Sequence, residues 1–270
     1  MRYPAVAGRF YPIEPDELRT TIEGCFTHEL GPGGLPEPGD SRRIKAAVAP
    51  HAGYLCSGMT AAHTFAEIRR DGLPEAYIVV GPDHFGVPFD MVMCSDPYLT
   101  PFGECKVHRE IAGRMAEMMP DFSVAHRREH SVEVEIPFLQ YIDPDPHIVP
   151  VILSRQDPQT TSRLASVIRE ACKGHDVVVL ASSDLCHYIP DRIEKELDSE
   201  FLKRVCACDT EGIFSEVADK DLSVCGYGPI ACAIEATGAT KGRLLKHTNS
   251  WDSLKYDRDA VVGYGSVVLE

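Results

Sequence analysis

A chain of 270 residues with 44% apolar and 25% charged residues has the composition of a soluble globular protein, long enough to bury a core without crosslinks. Its formal net charge of −14 argues against nucleic acid or an anionic membrane as partner, because phosphate recognition needs a basic surface. Ten cysteines without a CxxC pair, a start without a secretion signal and no apolar run near the ~20 residues of a membrane span predict a cytoplasmic protein with reduced thiols.

Met1–Pro12 reads as an irregular arm whose aromatics, Tyr3, Phe10 and Tyr11, pack onto the body. Pro15 opens a helix with Leu18 and Ile22 on one face. Gly31–Gly39 is a surface loop too short to divide domains. A strand over Ile44–Ala49 runs into His51, and a helix follows over Ser57–Arg70 with Ser57 as its cap. A second strand, Ala76–Val80, runs into His84. Phe89–Ser95 is a further strand candidate, followed by a turn at TPFGEC and a helix over His108–Met119. Asp121–Ala125 reads as a short strand. Ser131 is placed to cap a helix with Ile136 and Leu139 inward, although Val134 stands where a capping box wants Glu or Gln.

The second half continues in the same manner. Ile148–Leu153 is a strand, Asp157–Cys172 a helix and Val177–Ala181 a strand of continuous apolar character. Asp191–Cys208 is a longer amphipathic helix. Cys225–Ile230 leads into an apolar helix through Ala236, and Ala260–Leu269 closes the chain as a strand. Alternating strands and helices without a break in composition predict one domain over residues 1–270. Its fold class is α/β, a three-layer α/β/α sandwich around a mainly parallel or mixed sheet.

The functional signal is a repeated abrupt switch from buried strand to reactive residues: PHAGY at His51, GPDH at His84 and SSDLCHY at His187. One such histidine alone reads as a loop residue. Three after the same kind of strand predict a shared site at the carboxyl edge of the sheet, where metal-binding imidazoles could converge. Cys225, ahead of Gly226 and Gly228 and a helix, is a ligand or nucleophile on one reading and a buried thiol on the other. Asp184 and His187 share a short loop in which the carboxylate would orient the imidazole or act as a base.

Other motifs fall away. Ser182 and Ser183 lack a GxSxG elbow. His126–His130 matches HxxEH by letter, but the extended residues before it and the cap after it do not supply the required helix. Neither GxGxxG nor GxxxxGK[ST] is present, and the looser GxGxxA at Gly226–Ala231 follows no buried strand.

Six segments, PAVAGRFYP, APHAGYLCSG, VGPDH, EHSVEVEIPFLQ, ASSDLCHY and VCGYGPI, occur in the order seen in the Memo family, whose prokaryotic members are called AmmeMemoRadiSam system protein B. The resemblance spans essentially the whole chain. It implies a fold similar to LigB-type class III extradiol dioxygenases, with one metal ion on His51, His84 and Cys225. It further implies His187 as acid–base residue beside Asp184, and a substrate pocket drawing on Tyr54, Asp83, His130 and Glu133. The dioxygenases complete their triad with a carboxylate, whereas this sequence offers Cys225. Iron(II) is the first expectation for the cofactor, with copper or zinc as alternatives.

The function implied is a metal-dependent oxidoreductase of unassigned substrate. The alternative is a non-catalytic module that binds a peptide or partner protein in the same pocket; a weaker one is a hydrolase using metal-bound water. A small-molecule or peptide ligand, and a radical-SAM protein by family association, are the partners the resemblance implies.

Overall fold

Apolar, β-branched runs form the centre of the sheet because strands covered on both faces have no polar side to present. The structure is a computed structural model describing residues 1–270. In chain order its elements are α1 (Pro15–Thr27), β1 (Ala46–Ala49), α2 (Tyr54–Asp71), β2 (Ala76–Pro82), β3 (Met91–Met93), β4 (Tyr98–Thr100), β5 (Gly103–Val107), α3 (Arg109–Ala116), α4 (Ile136–Ile142), β6 (His147–Leu153), α5 (Pro158–Ala171), β7 (Val177–Ser182), β8 (Asp184–Ile189), α6 (Asp191–Cys206), α7 (Thr210–Lys220), α8 (Tyr227–Thr237), β9 (Gly242–Asn249), α9 (Ser250–Leu254) and β10 (Val261–Leu269).

The strands make one mixed sheet in the order β4-β5-β6-β2-β7-β1-β10-β8, with β3 on β6 and β9 on β10. β6, β2, β7 and β1 are mutually parallel, and β10 closes the parallel block by pairing antiparallel to β1. Helix α2 packs on one face of β10, where Thr64 bonds Ser266, while α6 packs on the other beneath Gly263 and Gly265. Helices α5 and α8 cover the parallel strands on the α6 side. The expected three-layer α/β/α architecture is therefore the one observed. All ten cysteines are free thiols.

Several local expectations are corrected. SSDLCHY is not a loop after β7. From Asp184 it forms strand β8, antiparallel to β10, with its first three residues buried and the last three turning toward solvent. Helix α2 starts at Tyr54, and Ser57 lies inside it with its hydroxyl donated to the Ala52 carbonyl. Asp121 makes only a single bridge to Met93, and Ser123–His126 is a 3-10 turn, because Phe122 and Val124 have no buried face to pair against. Ser131 caps nothing: its hydroxyl donates to the Pro82 carbonyl, and α4 begins at Ile136 after a 3-10 turn. Helix α7 and strand β9 were not anticipated.

The N-terminal arm does pack on the body. Arg2 forms a fully buried ion pair with Glu133, which also accepts from the amides of Ala5 and Val6 and the hydroxyl of Tyr11. A buried charge left without its partner is costly, so this pair ties the arm to residues 126–135.

Candidate metal centre

Three parallel strands deliver the site. β1 runs into His51, β2 into His84, and β7, lying between them, ends at Ser182. Cys225 enters from the turn before α8. Gly226 makes that approach possible, since a Cβ there would lie 2.5 Å from the Ser182 carbonyl oxygen and 2.6 Å from Ser183 Cβ. One donor atom from each of His51, His84 and Cys225 falls within 4.8 Å of the others.

Each histidine has one ring nitrogen held by the protein. Ser182 has a single hydroxyl hydrogen, and the Ser131 carbonyl 2.7 Å away can only accept it. His51 Nδ1, 2.7 Å from the same oxygen, is therefore the donor, which leaves Nε2 as a bare lone pair. Glu135, 2.8 Å from Ser182 Oγ, is held neutral by burial and supplies its own proton to this network. His51 Nε2 then faces Cys225 Sγ at 3.3 Å. Burial, reinforced by His130 and His84, holds His51 well below its ordinary pKa, so it stays a neutral donor.

His84 is arranged in the same way by Glu129, a buried carboxylate. Its Nδ1 lies 2.9 Å from one oxygen, and its amide donates to the other at 2.7 Å. The amides of His130 and Ser131 also donate to Glu129. Burial alone would raise the Glu129 pKa, but His84 and these amides together hold it down to about 2. Burial of Cys225, with Asp184 adding to it, pushes its thiol far above the ordinary range. Only a bound cation would make the thiolate stable there.

These donors fit a metal ion. The two free Nε2 atoms and the sulfur converge, while each outward-facing ring nitrogen has a partner that fixes its tautomer, as in carboxylate–histidine–metal arrangements. The sulfur adds a soft donor, compatible with copper(I), zinc or iron.

The other expected residues divide. His130 stacks on His84 with ring centroids 4.6 Å apart and lines the cavity. Asp184 lines it too, but its Oδ1 is taken by the amides of His51 and Ala52, and burial, opposed by His187, raises its pKa to about 6. It does not orient His187, contrary to expectation. That role falls to Ser223, whose carbonyl accepts from His187 Nδ1 at 2.9 Å and whose hydroxyl accepts the His187 amide. Three residues expected in the pocket do not line it. Tyr54 is buried with its hydroxyl on the Val134 carbonyl, Glu133 is committed to Arg2, and Asp83 accepts the amides of residues 85–87.

The cavity has a volume of about 480 Å³ and gathers His51, His84, His130, Asp184, His187 and Cys225, with Phe10, Tyr188 and Tyr264 as aromatic walls. A larger recess of about 780 Å³ at the opposite edge of the sheet has Val107 as its one hydrophobic wall residue. The supporting roles of Glu129, Ser182 and Ser223 are not read from the sequence, although Ser182 and the stretch containing Glu129 are weighed there for other chemistry. The available signals are the adjacency of Glu129 to His130 and the place of Ser182 two residues before Asp184.

Residues 2–268 match the family model described as Memo-like protein. This chain belongs to the Memo family. It is 40% identical to a MEMO1 family protein of Methanopyrus kandleri, over 99% of this chain and 98% of that one. It is also 40% identical to one from Methanothermobacter thermautotrophicus, with 98% of both chains covered. A solved structure of an uncharacterized Escherichia coli K12 protein shares the fold, with a TM-score of 0.52 at 13% identity, over 82% of this chain and 99% of that one. The Memo-family motifs PHAGY, GPDH and VCGYGP are thus the segments whose side chains meet at the cavity. No helix is long and apolar enough to cross a membrane.

Proposed function

We propose that this Memo-family chain is a metal-dependent oxidoreductase in which His51, His84 and Cys225 hold one ion, iron(II) first, with copper or zinc as alternatives. A single observation carries the reading: the donors face one another while Ser182 and Glu129 hold the reverse side of each imidazole. When bound, the ion would supply Lewis-acid and redox chemistry to a small polar substrate beside it.

The remaining residues support that chemistry. His187 Nδ1 donates a hydrogen bond to the Ser223 carbonyl, which leaves Nε2 as the ring nitrogen that would accept a proton from a substrate hydroxyl. Asp184 holds the backbone of His51 and Ala52 and keeps the first ligand's loop against β7. Phe10 lies edge-on to His130 at 4.9 Å and covers one side of the cavity.

Elemental analysis of protein purified without added metal tests the reading. One equivalent of iron, copper or zinc that is lost in Cys225→Ala and retained in His187→Ala supports it. A metal content that Cys225→Ala leaves unaltered would sink it.

One observation favours a second reading, a non-catalytic peptide-binding module. Tyr188 at the cavity mouth is 76% exposed, and Phe85, edge-on to His130, is 44% exposed, so aromatic surface surrounds the opening. Peptide capture that survives His187→Ala, without oxygen consumption on a panel of diols, would select this alternative. The radical-SAM partner suggested by family association is tested by co-purification.

A further inference from the structure

A second convergence of donor atoms lies on the other side of the β8–β10 ribbon. Glu194 and Asp198 are four residues apart on α6 and so project from the same face one turn apart. Both are completely buried. His247 on β9 meets them, with Nε2 2.9 Å from Glu194 Oε1 and 3.6 Å from Asp198 Oδ2.

The outward atoms of the two carboxylates are held elsewhere. Asn249 Nδ2 donates to Glu194 Oε2, and the Cys186 amide donates to Asp198 Oδ1 at 3.1 Å. Asp198 Oδ2 is left pointing into the cluster, buried and without a hydrogen-bond partner. An orphaned buried carboxylate oxygen is expensive unless something positive faces it. Lys195 and Arg258 are both drawn to Asp191, so the one cation that faces the oxygen is His247 itself. Burial opposes its charge, but the two carboxylates raise its pKa to about 9, and a metal ion would replace that proton. A Cβ on Gly263 would stand 1.9 Å from Asp198 Oδ2 and 2.6 Å from Glu194 Oε1, so glycine keeps the space above the oxygens clear.

We propose that Glu194 Oε1, Asp198 Oδ2 and His247 Nε2 form a second metal site, for a divalent first-row ion such as zinc or manganese. Metal–ligand bonds of about 2.0–2.2 Å with tetrahedral angles put neighbouring donors roughly 3.4 Å apart. The observed 2.9 and 3.6 Å bracket that spacing. Two carboxylates and one imidazole match the harder divalent ions, in contrast to the sulfur-containing centre at Cys225. The ion would tie α6 to β9. Through the Asp198–Cys186 bond it would also brace β8, which carries Asp184 and His187 into the cavity. This site is independent of the function proposed for the first.

Zinc alone is the probe. In the His51→Ala/Cys225→Ala double variant, which removes the first centre, one equivalent of zinc should still bind by calorimetry. X-ray absorption should then show a nitrogen and oxygen shell without sulfur. Adding Asp198→Asn or His247→Gln should weaken binding by at least the roughly 10- to 100-fold that even an outer-sphere partner costs. Wild-type protein, where folding is not in question, should bind two equivalents. A single equivalent in the wild type, sulfur in the zinc shell of the double variant, or affinity unmoved by Asp198→Asn would each overturn the proposal. Persistence of the His247 imidazolium signature by NMR at saturating zinc would overturn it too, since a proton rather than a metal would then fill the cluster.

Discussion

Glu129 accepts hydrogen bonds from two donors of the same residue, the backbone amide and the Nδ1 of His84, at 2.7 and 2.9 Å. Position and tautomer of His84, the ligand proposed from β2, are thus set by one buried carboxylate. The HRREH stretch, which matches the protease pattern HxxEH by letter, supplies the support behind His84 instead.

Glu129→Gln should weaken metal binding at the first centre by roughly 10- to 100-fold, the usual cost of losing an outer-sphere carboxylate. The amide retains most of the shape but turns its NH2 toward the His84 amide or ring, so about 1–3 kcal/mol of stability should also go. Competition against a calibrated chelator, alongside urea unfolding, measures both. Unchanged affinity would show that His84 needs no orienting partner.

Gly226→Ala should displace Cys225 and remove the equivalent of metal held at the first centre. The new methyl would sit against the Ser182 carbonyl and the Ser183 Cβ, neither able to yield, and overpacking of this kind costs about 1–3 kcal/mol. Gly113→Ala on α3 is the control. Nothing lies within 4 Å of its added methyl, so it should be neutral or slightly stabilising. Elemental analysis of the two variants would show metal lost in one and kept in the other. Full occupancy in Gly226→Ala would contradict this account of the turn.

Much of the centre was legible because its strands are buried on both faces. Ala76–Val80 and Val177–Ala181 carry no polar position to confuse their reading, and parallel strands necessarily align their carboxyl ends. β8 was misread because Ser183 alone separates it from β7, and its polar residues look like a loop until pairing with β10 is known. β9 was missed because GRLLKHTN is largely half-exposed and its register depends on β10. Partners such as Glu129, Ser182 and Ser223 were hidden for another reason. A buried polar group is explained by what it meets across the fold, and those contacts span up to 131 residues of sequence.

Below neutral pH, His126 should become a liability. It is buried with its Nδ1 accepting from the Tyr98 hydroxyl and its Nε2 donating to the Val92 carbonyl. Burial lowers its pKa from 6.5 to about 4. Above pH 6.5 neither folded nor unfolded chain is protonated there, and stability is complete. As pH falls below 6.5 the unfolded chain binds a proton that the folded one refuses, so stability declines until pH passes about 4. The full loss is about 3 kcal/mol. Urea unfolding of wild type and His126→Gln between pH 7 and 4 isolates this share. Parallel stability curves for the two proteins would refute it.

Cys225→Asp should change which metal the first centre prefers. Sγ stands 3.3 Å from His51 Nε2 and accepts the Asp184 amide at 3.3 Å, so the position is fixed by the protein and the donor type is set by the side chain. A carboxylate there produces a two-histidine, one-carboxylate face, which suits iron(II), whereas loss of the thiolate removes the donor that copper(I) needs. Copper(I) affinity should fall by orders of magnitude while iron(II) affinity stays within about tenfold of the wild type, a change of roughly 1.4 kcal/mol. The metal-free variant should be less stable, because its new carboxylate is buried beside Asp184 and like charges there disfavour ionisation. Anaerobic chelator competition with each ion gives the two affinities. Copper(I) binding as tight as in the wild type would mean that Cys225 is not a ligand, and that the ion rests on the histidines alone.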